Sequence, residues 1–527
     1  MARLADAPPQ SRTAPAVPRL ARWPLVAVAL LGLASELLYL LALVRPYWLP
    51  RYVDRPLVDL GKIGGYEPAA GVRYGLPLAL LWGLYLAAGV AARRLDRWLL
   101  PLACGGALLF ALTLLWLYPI TAADIFNYLL YGLVEHRGAN PLVQPPDAVI
   151  GEPLIGFSAW RGHPSPYGPV WQRLAYLITA VTGESLLAGI LGFKLLLVAC
   201  HLLNTGLVAR LARATGSIEP GTAALLYAWN PLLLYETAGN GHNDVVMLTA
   251  ALLAAWALCR PRGPAGLALP ITALGVLVKY VAAIWAPIVL LAAWHRERGR
   301  GPNGPRRLIL WAAASALLAL ALFWPYWSGG QTLEGVRRQA DLYTTSLASV
   351  TMVLLSERSG LIERQTLLDA LKGVALAGVA ATAILRRPRD GGVRSLLAAL
   401  FDVTLAYLLL GALWFQPWYL VPLVGLAQPL DVRRRLLAAV YALGAFGSYL
   451  VYFYVWPALD WTGDRLLIQG LAAGVAHGPV LLALLAFAVH RIASAGPRAA
   501  GREACGVRRG VWGAPRRVCG GCVALSC

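Results

Sequence analysis

Apolar runs of about 20 residues recur from one end of this chain to the other, and a run of that length crosses a bilayer as a helix. The pattern predicts spans at 23–44, 74–92, 99–118, 185–209, 221–237, 243–258, 266–278, 281–294, 308–327, 366–385, 396–413, 417–428, 436–456 and 466–490. Four of these are short and form two hairpins, 266–294 and 396–428. The fold class that follows is an all-α polytopic membrane protein of about 12–14 transmembrane helices, with interfacial helices in its outer loops. The first 22 residues are polar, Pro-rich and basic. The apolar run after them is too long for a signal peptide and lacks a cleavage site, so it reads as the first span. The expected organisation is a basic segment 1–22, a transmembrane domain 23–490 and a basic, low-complexity tail 491–527.

One segment departs from the pattern. Beyond Leu99–Tyr118 the chain continues Pro-Ile-Thr-Ala-Ala-Asp124-Ile-Phe-Asn-Tyr-Leu-Leu-Tyr-Gly132. At helical spacing Asp124, Asn127, Tyr128, Tyr131 and Glu135 share one face, and Ile125, Phe126, Leu129, Leu130 and Leu133 the other. That predicts a helix on the membrane surface with its polar side toward a cavity or water. A carboxylate where the chain leaves the membrane is costly unless it is solvated or used. Two roles fit Asp124. It can cap the helix that it opens, or it can act as a general base, its proton affinity raised by partial desolvation.

Composition narrows the classes. Residues are 58% hydrophobic and 14% charged, which leaves no room for a large soluble domain. The net charge of +20 is nearly all Arg, with Lys only at 62, 194, 279 and 372. With the N-terminus inside, about 30 Lys and Arg fall in cytoplasmic segments and about 14 outside, the bias that fixes orientation. Basic clusters placed between spans serve topology, and nucleic acid is not expected as a partner. The expected location is the cell membrane, multi-pass, with both termini cytoplasmic. Cys104, Cys200 and Cys259 fall in or beside spans and read as packing residues. Cys505, Cys519, Cys522 and Cys527 lie in the tail, where their irregular spacing favours a disordered basic segment over a zinc site. No metal site is expected.

The same topology collects the unusual polar residues on the outer side. These are the first large outer loop (119–184), the turn Asn240-Gly-His242-Asn243-Asp244, the loop 328–365 and Trp414-Phe-Gln416-Pro-Trp418-Tyr419. The outer loop carries Arg137-Gly-Ala-Asn140-Pro and Trp160-Arg-Gly-His163-Pro-Ser-Pro-Tyr167-Gly-Pro, dense enough in Gly and Pro to be a rigid, turn-rich loop. Tyr, Trp and Asn suit a sugar site, since aromatic faces stack on pyranose rings and amides bond hydroxyls. An interfacial aromatic belt is the alternative. Asn243 or Asp244 can cap the following helix, or contact a phosphate or sugar, or orient Asp124. Lys279, at the tip of the first short hairpin, either snorkels to the outer surface or holds a lipid phosphate as a point charge. Arg337 and Arg338 are second-choice phosphate ligands or a solvated face.

The sequence lacks a P-loop, a GxGxxG in strand–helix context, an HExxH and a Ser-His-Asp order. No cofactor is indicated, and an activated lipid donor would supply the leaving group. The motifs Thr121–Gly132, Gly138-Ala-Asn-Pro-Leu142, Ser165-Pro-Tyr-Gly-Pro-Val-Trp171, Asn230-Pro with Gly241-His-Asn-Asp244, and Gln416-Pro-Trp-Tyr-Leu420 occur in order. In this the chain resembles the bacterial polyprenol-phosphate-mannose-dependent α-1,6-mannosyltransferases, integral-membrane glycosyltransferases of the GT-C class, from about residue 20 to 490. The resemblance implies a GT-C-like helical bundle with an outer-facing cavity, a polyprenyl-phosphate sugar donor and inversion at the anomeric carbon. It implies an acid in the first large outer loop as base, which maps onto Asp124. No second acid adjoins Asp124, so a metal-binding DxD is missing.

The resulting expectation is an inverting hexosyltransferase acting on a glycan or glycolipid acceptor outside the cytoplasm, with mannose as the sugar. Asp124 is the base. Asn127, Tyr128, Tyr131, Asn140, His163, Tyr167, His242, Asn243, Asp244, Lys279, Arg337, Arg338, Gln416 and Trp418 are the candidate substrate contacts. The rival readings are a transporter or flippase of lipid-linked sugars, and a structural subunit of an envelope complex.

Overall fold

The computed structural model describes residues 23–93, 98–459 and 464–494. The expected basic segment 1–22, most of the Arg93–Arg97 connection and the tail cysteines lie outside the described residues. Met1–Leu481 forms one compact unit; of the second, Leu482–Cys527, only the helical residues 482–494 are described. Among the described residues there are helices and no strands, only isolated bridges. In lipid a helix satisfies every backbone donor and acceptor within its own segment.

Eight of these helices are long and apolar enough to cross a membrane: Trp23–Val44, Pro68–Ala92, Leu186–Thr215, Gly304–Tyr326, Arg364–Leu385, Val393–Gly411, Val432–Ala458 and Arg465–Ser494. A ninth is made if Pro231–Gly239 and Asp244–Cys259, bent by 118° at their junction, count as one. The protein is an all-α, multi-pass membrane protein. The Gly304–Phe323 helix illustrates the solvent, since only Gly304 and Leu308 are buried while Ile309, Leu310, Leu317 and Leu320 face outward.

The other apolar runs expected as spans form shorter pieces. Leu99–Leu114 has 16 residues. The expected span 221–237 is broken at Asn230-Pro231, where the Asn230 side chain caps the next turn through Leu233 N–H. The first short hairpin is real and has a sharp tip. Ala268–Val278 is 11 residues long, about 16 Å at 1.5 Å per residue. The chain then reverses through Lys279, which is extended (φ −147°, ψ 117°), into Tyr280–Trp285 and Ala286–Arg298. In the second hairpin Val393–Gly411 is a full-length arm, and Pro417–Ala427 the short returning one.

The basic connections are tied to one another. Arg434 pairs with Asp402 (2.9 Å) and Asp431 (2.6 Å), and Arg386 also reaches Asp402. Arg300 and Arg307 close on buried Glu297, and Arg394 donates to Thr215 O (2.6 Å). From these connections Val393–Gly411 and Ala268–Val278 run to Gly411 and Lys279 at the other end, where a cavity lies.

A buried lysine fixes the approach to Asp124. Lys194 Nζ, in Leu186–Thr215, donates to Leu114 O (3.4 Å), Leu115 O (3.2 Å) and Leu117 O (2.5 Å). These carbonyls lie at and just beyond the end of Leu99–Leu114, where helical partners run out. The strand-like segment beyond is held by Tyr118 N–H to Tyr47 O (2.8 Å) and Leu60 N–H to Ile120 O (2.7 Å). Lys194→Met should leave these carbonyls short of a donor at about 1–3 kcal/mol for each unsatisfied group. A clearly lower melting temperature in detergent is expected; an unchanged one would refute this account of the segment.

Candidate active site

Asp124 stands in the first turn of Asp124–His136, preceded by Ala123 in the cap position. Asp124 is therefore one residue past the position at which it would be the N-cap. Ile125 through Val134 are buried without a break, so protein covers both faces of the helix. The apolar face packs on Pro169–Thr182 and Leu186–Thr215. Gly132 permits the contact, because a Cβ there would sit 2.7 Å from Ala175 O. The polar face is roofed by the loop 158–167. Asn127 Oδ1 accepts from the Ser158 hydroxyl (2.6 Å), and the Tyr131 hydroxyl donates to His163 O (3.0 Å). Tyr128 meets Tyr167 and Trp171 edge-on, with centroids at 5.2 and 4.8 Å.

Asp124 opens onto a cavity of about 650 Å³, the size of a site for a small organic ligand. Its walls carry Trp160, Tyr167, Asp244, Lys279, Gln339, Lys372, Trp414, Gln416, Trp418 and Tyr419, with Met247, Val281, Ile284 and Leu408 among the apolar residues. Asp124 retains 19% exposure, and its Oδ1 accepts from the Tyr167 hydroxyl at 3.2 Å. Burial raises its proton affinity above that of an ordinary aspartate; Lys279 and the Tyr167 hydrogen bond pull the other way, and Asp244 adds to the rise.

Two cations stand in the cavity wall. Lys279 Nζ bridges both oxygens of Asp244, at 2.9 and 2.8 Å, and lies 4.6 Å from the centre of the Tyr419 ring. Lys372 Nζ, from Arg364–Leu385, pairs with Asp341 Oδ1 at 2.6 Å and is less buried. The reversal that presents Lys279 rests against the loop that presents Tyr167. Gly168 N–H donates to Val278 O (3.2 Å), and a Cβ on Gly168 would fall 2.1 Å from Leu277 O. A glycine is therefore what lets the two walls meet. Trp414 is fixed by backbone pairing of Leu413 and Phe415 with Thr344, both at 3.0 Å, and meets Trp160 edge-on.

Residues 29–295 match the family described as "Alpha-(1->6)-mannopyranosyltransferase, N-terminal domain". The chain belongs to this family. It is 26% identical over 365 residues to Alpha-(1->6)-mannopyranosyltransferase A of Mycobacterium tuberculosis, covering 64% of this chain and 68% of that protein. It is 27% identical over 182 residues to Alpha-(1->6)-mannopyranosyltransferase A of Corynebacterium glutamicum, covering 34% of this chain and only 36% of that protein.

The mannopyranosyltransferase match contains Asp124, Tyr167, Asp244 and Lys279, and ends before Lys372, Gln416 and Trp418. The structure sorts the expected contacts. Asp124, Tyr167, Asp244, Lys279, Gln416 and Trp418 share the cavity. Asn127, Tyr131 and His163 line a small recess beside Asp124, and Tyr128 is buried behind it. His242 and Asn243 are buried outside the cavity lining. Asn140 braces the loops, with Nδ2 donating to Tyr326 O (2.7 Å) and Oδ1 accepting from Leu142 N–H (3.0 Å). Arg337 and Arg338 do not reach the cavity; both are exposed, and Arg338 pairs with Glu334 at 2.8 Å. They sit on a solvated face. Lys372, Gln339, Tyr280 and Tyr407 line the cavity and were not expected there. Lys372 could have been found as Lys279 was, as a lysine inside an apolar run.

Proposed function

We propose that the protein is an inverting mannosyltransferase that moves mannose from a polyprenyl-phosphate donor to a hydroxyl of a glycan or glycolipid. Residues 23–490 act as one GT-C-like catalytic unit, with both termini cytoplasmic and the cavity open to the extracytoplasmic side. The observation that carries this reading is a single cavity bounded by a partly desolvated carboxylate, Asp124, and by two lysines, Lys279 and Lys372. Names of relatives support mannose as the sugar.

In this reading the donor phosphate enters near the lysines, which offset charge on the leaving group. The apolar stretch at Val281, Ile284 and Leu408 accepts the first part of the prenyl chain. Trp160, Trp414 and Gln416 face the sugar. Asp124 takes the proton of the acceptor hydroxyl as that oxygen attacks the anomeric carbon opposite the phosphate. General-base assistance contributes about 10²–10⁴-fold. Holding both substrates in line supplies much of the remainder.

The test is transfer in proteoliposomes from labelled polyprenyl-phosphate mannose, with the acceptor outside. A glycosylated product is expected. Donor movement across the bilayer without product would replace this reading with a flippase. The pH profile supplies a second check. A base must be ionised, so kcat falls as the pH drops through its pKa. Burial has raised that pKa, so the acid limb should lie above that of a free aspartate, and Asp124→Glu should move it. A limb that stays put in Asp124→Glu would assign the limb to another group.

A further inference from the structure

The stretch of cavity wall that carries Trp414 and Gln416 is held from behind by a residue in a costly conformation. Three non-glycine residues have positive φ among the described ones, and of these Thr345 (φ 51°) has the β-branched side chain. For such a residue the left-handed region is a genuine outlier. It persists where the surroundings over-determine it, and here they do. Gln469, in Arg465–Ser494, accepts on Oε1 from Thr345 N–H (2.9 Å) and from the Ser349 hydroxyl (2.9 Å). Its Nε2 donates to Thr344 Oγ1 (3.2 Å). His477, two turns further along the same helix, bonds Thr345 O through Nε2 at 2.9 Å. A carbonyl only accepts, so Nε2 carries the hydrogen, and Nδ1 takes the Tyr441 hydroxyl at 2.7 Å. The N–H and the C=O of Thr345 are thus both bonded to buried side chains of one helix.

This knot reaches the cavity through one extended segment. Thr344 N–H donates to Leu413 O, and Thr344 O accepts from Phe415 N–H, both at 3.0 Å. Successive side chains of an extended chain point to opposite sides. Phe415 turns back into the knot, where it is fully buried, nearly parallel to the Tyr441 ring and 4.5 Å from the centre of the His477 ring. Trp414 and Gln416 turn the other way and line the cavity. Thr345, Gln469 and His477 do not line it.

We propose that Gln469 and His477 are positioning residues for the donor sugar. By holding Thr345 in its left-handed turn they fix Trp414 and Gln416 where the pyranose is bound. This rests on the reading above, in which Trp414 and Gln416 face the sugar. Neither Gln469 nor His477 touches substrate. A side chain already held in its binding position loses little freedom when the ligand arrives. Loosening the knot therefore weakens donor binding and leaves the proton transfer at Asp124 intact.

The test is donor kinetics of the full chain in proteoliposomes, with labelled polyprenyl-phosphate mannose. His477→Leu fills the site but cannot bond Thr345 O. It should raise the donor KM about tenfold, the equivalent of ordering one or two side chains on binding, at almost constant kcat. His477→Gln, whose amide N–H can stand in for Nε2–H, should recover most of that loss, which a role in filling space alone would not allow. Trp414→Ala should raise KM by a similar factor, and His477→Leu should add little to it, because both act on one contact. A wild-type KM in His477→Leu, a loss confined to kcat, equal behaviour of Leu and Gln at 477, or effects of His477→Leu and Trp414→Ala that multiply would each overturn the positioning role. Should His477→Leu fail to accumulate, Gln469→Met is the second variant, similar in length but without the amide. The same rise in KM is expected, and a wild-type KM there overturns the role. A wild-type KM in the double variant Trp414→Ala, Gln416→Ala is a different failure: it takes the sugar away from this wall, and the positioning role goes with it.

Discussion

Asp124→Asn should keep the protein in the membrane and abolish mannosyl transfer. Asparagine has the same shape, and its Oδ1 can still accept from the Tyr167 hydroxyl that now reaches Asp124 at 3.2 Å. The helix gains no new cavity, and its cap position is held by Ala123. What disappears is the ability to take a proton. The loss should be about 10²–10⁴-fold in kcat, or about 3–5 kcal/mol of transition-state stabilisation at 1.36 kcal/mol per decade. Donor binding should survive, because the lysines and the apolar walls are untouched. A fall in kcat at constant KM is the signature of an interaction made only in the transition state. The measurement is labelled-mannose transfer in isolated membranes, normalised to protein present. Turnover near that of the unaltered protein would remove Asp124 from the mechanism.

The residues that the sequence revealed are those that cost most where they stand. A carboxylate or lysine inside an apolar run is expensive enough to need a purpose, and Asp124, Asp244 and Lys279 all line one cavity. Periodicity could not tell a face that meets a substrate from one that meets the protein. Asn127, Tyr128 and Tyr131 share the face of Asp124, yet their partners are Ser158, Tyr167 and His163, from a loop that no local pattern places above them. The same limit holds for the helix as a whole, since a polar face covered by a loop reads like one covered by water. A proline marked the start of the short arm at Pro417, but the break at Pro231 fell inside the expected span 221–237 and was not read from the pattern. The depth of the Lys279 reversal was not read either, because it depends on Gly168 meeting Leu277 across more than a hundred residues.

Lys279 and Asp244 should prove inseparable for folding and separable for activity. The pair is buried, with Asp244 2% and Lys279 16% exposed, and the ammonium spans both carboxylate oxygens. Removing one partner from such a pair strands the other charge, at a cost of about 3–5 kcal/mol. Lys279→Met alone should therefore lower the melting temperature in detergent sharply, through an unpaired Asp244. Replacing both, as Lys279→Met with Asp244→Leu, removes the stranded charge, and buried pairs exchanged for apolar groups are often neutral or stabilising. Stability should return in the double variant. Transfer should not, because the wall then lacks one of the two cations assigned to the leaving phosphate. If the double variant is both stable and fully active, Lys279 is only a counterion for Asp244. The phosphate role then passes to Lys372, whose partner Asp341 is more exposed.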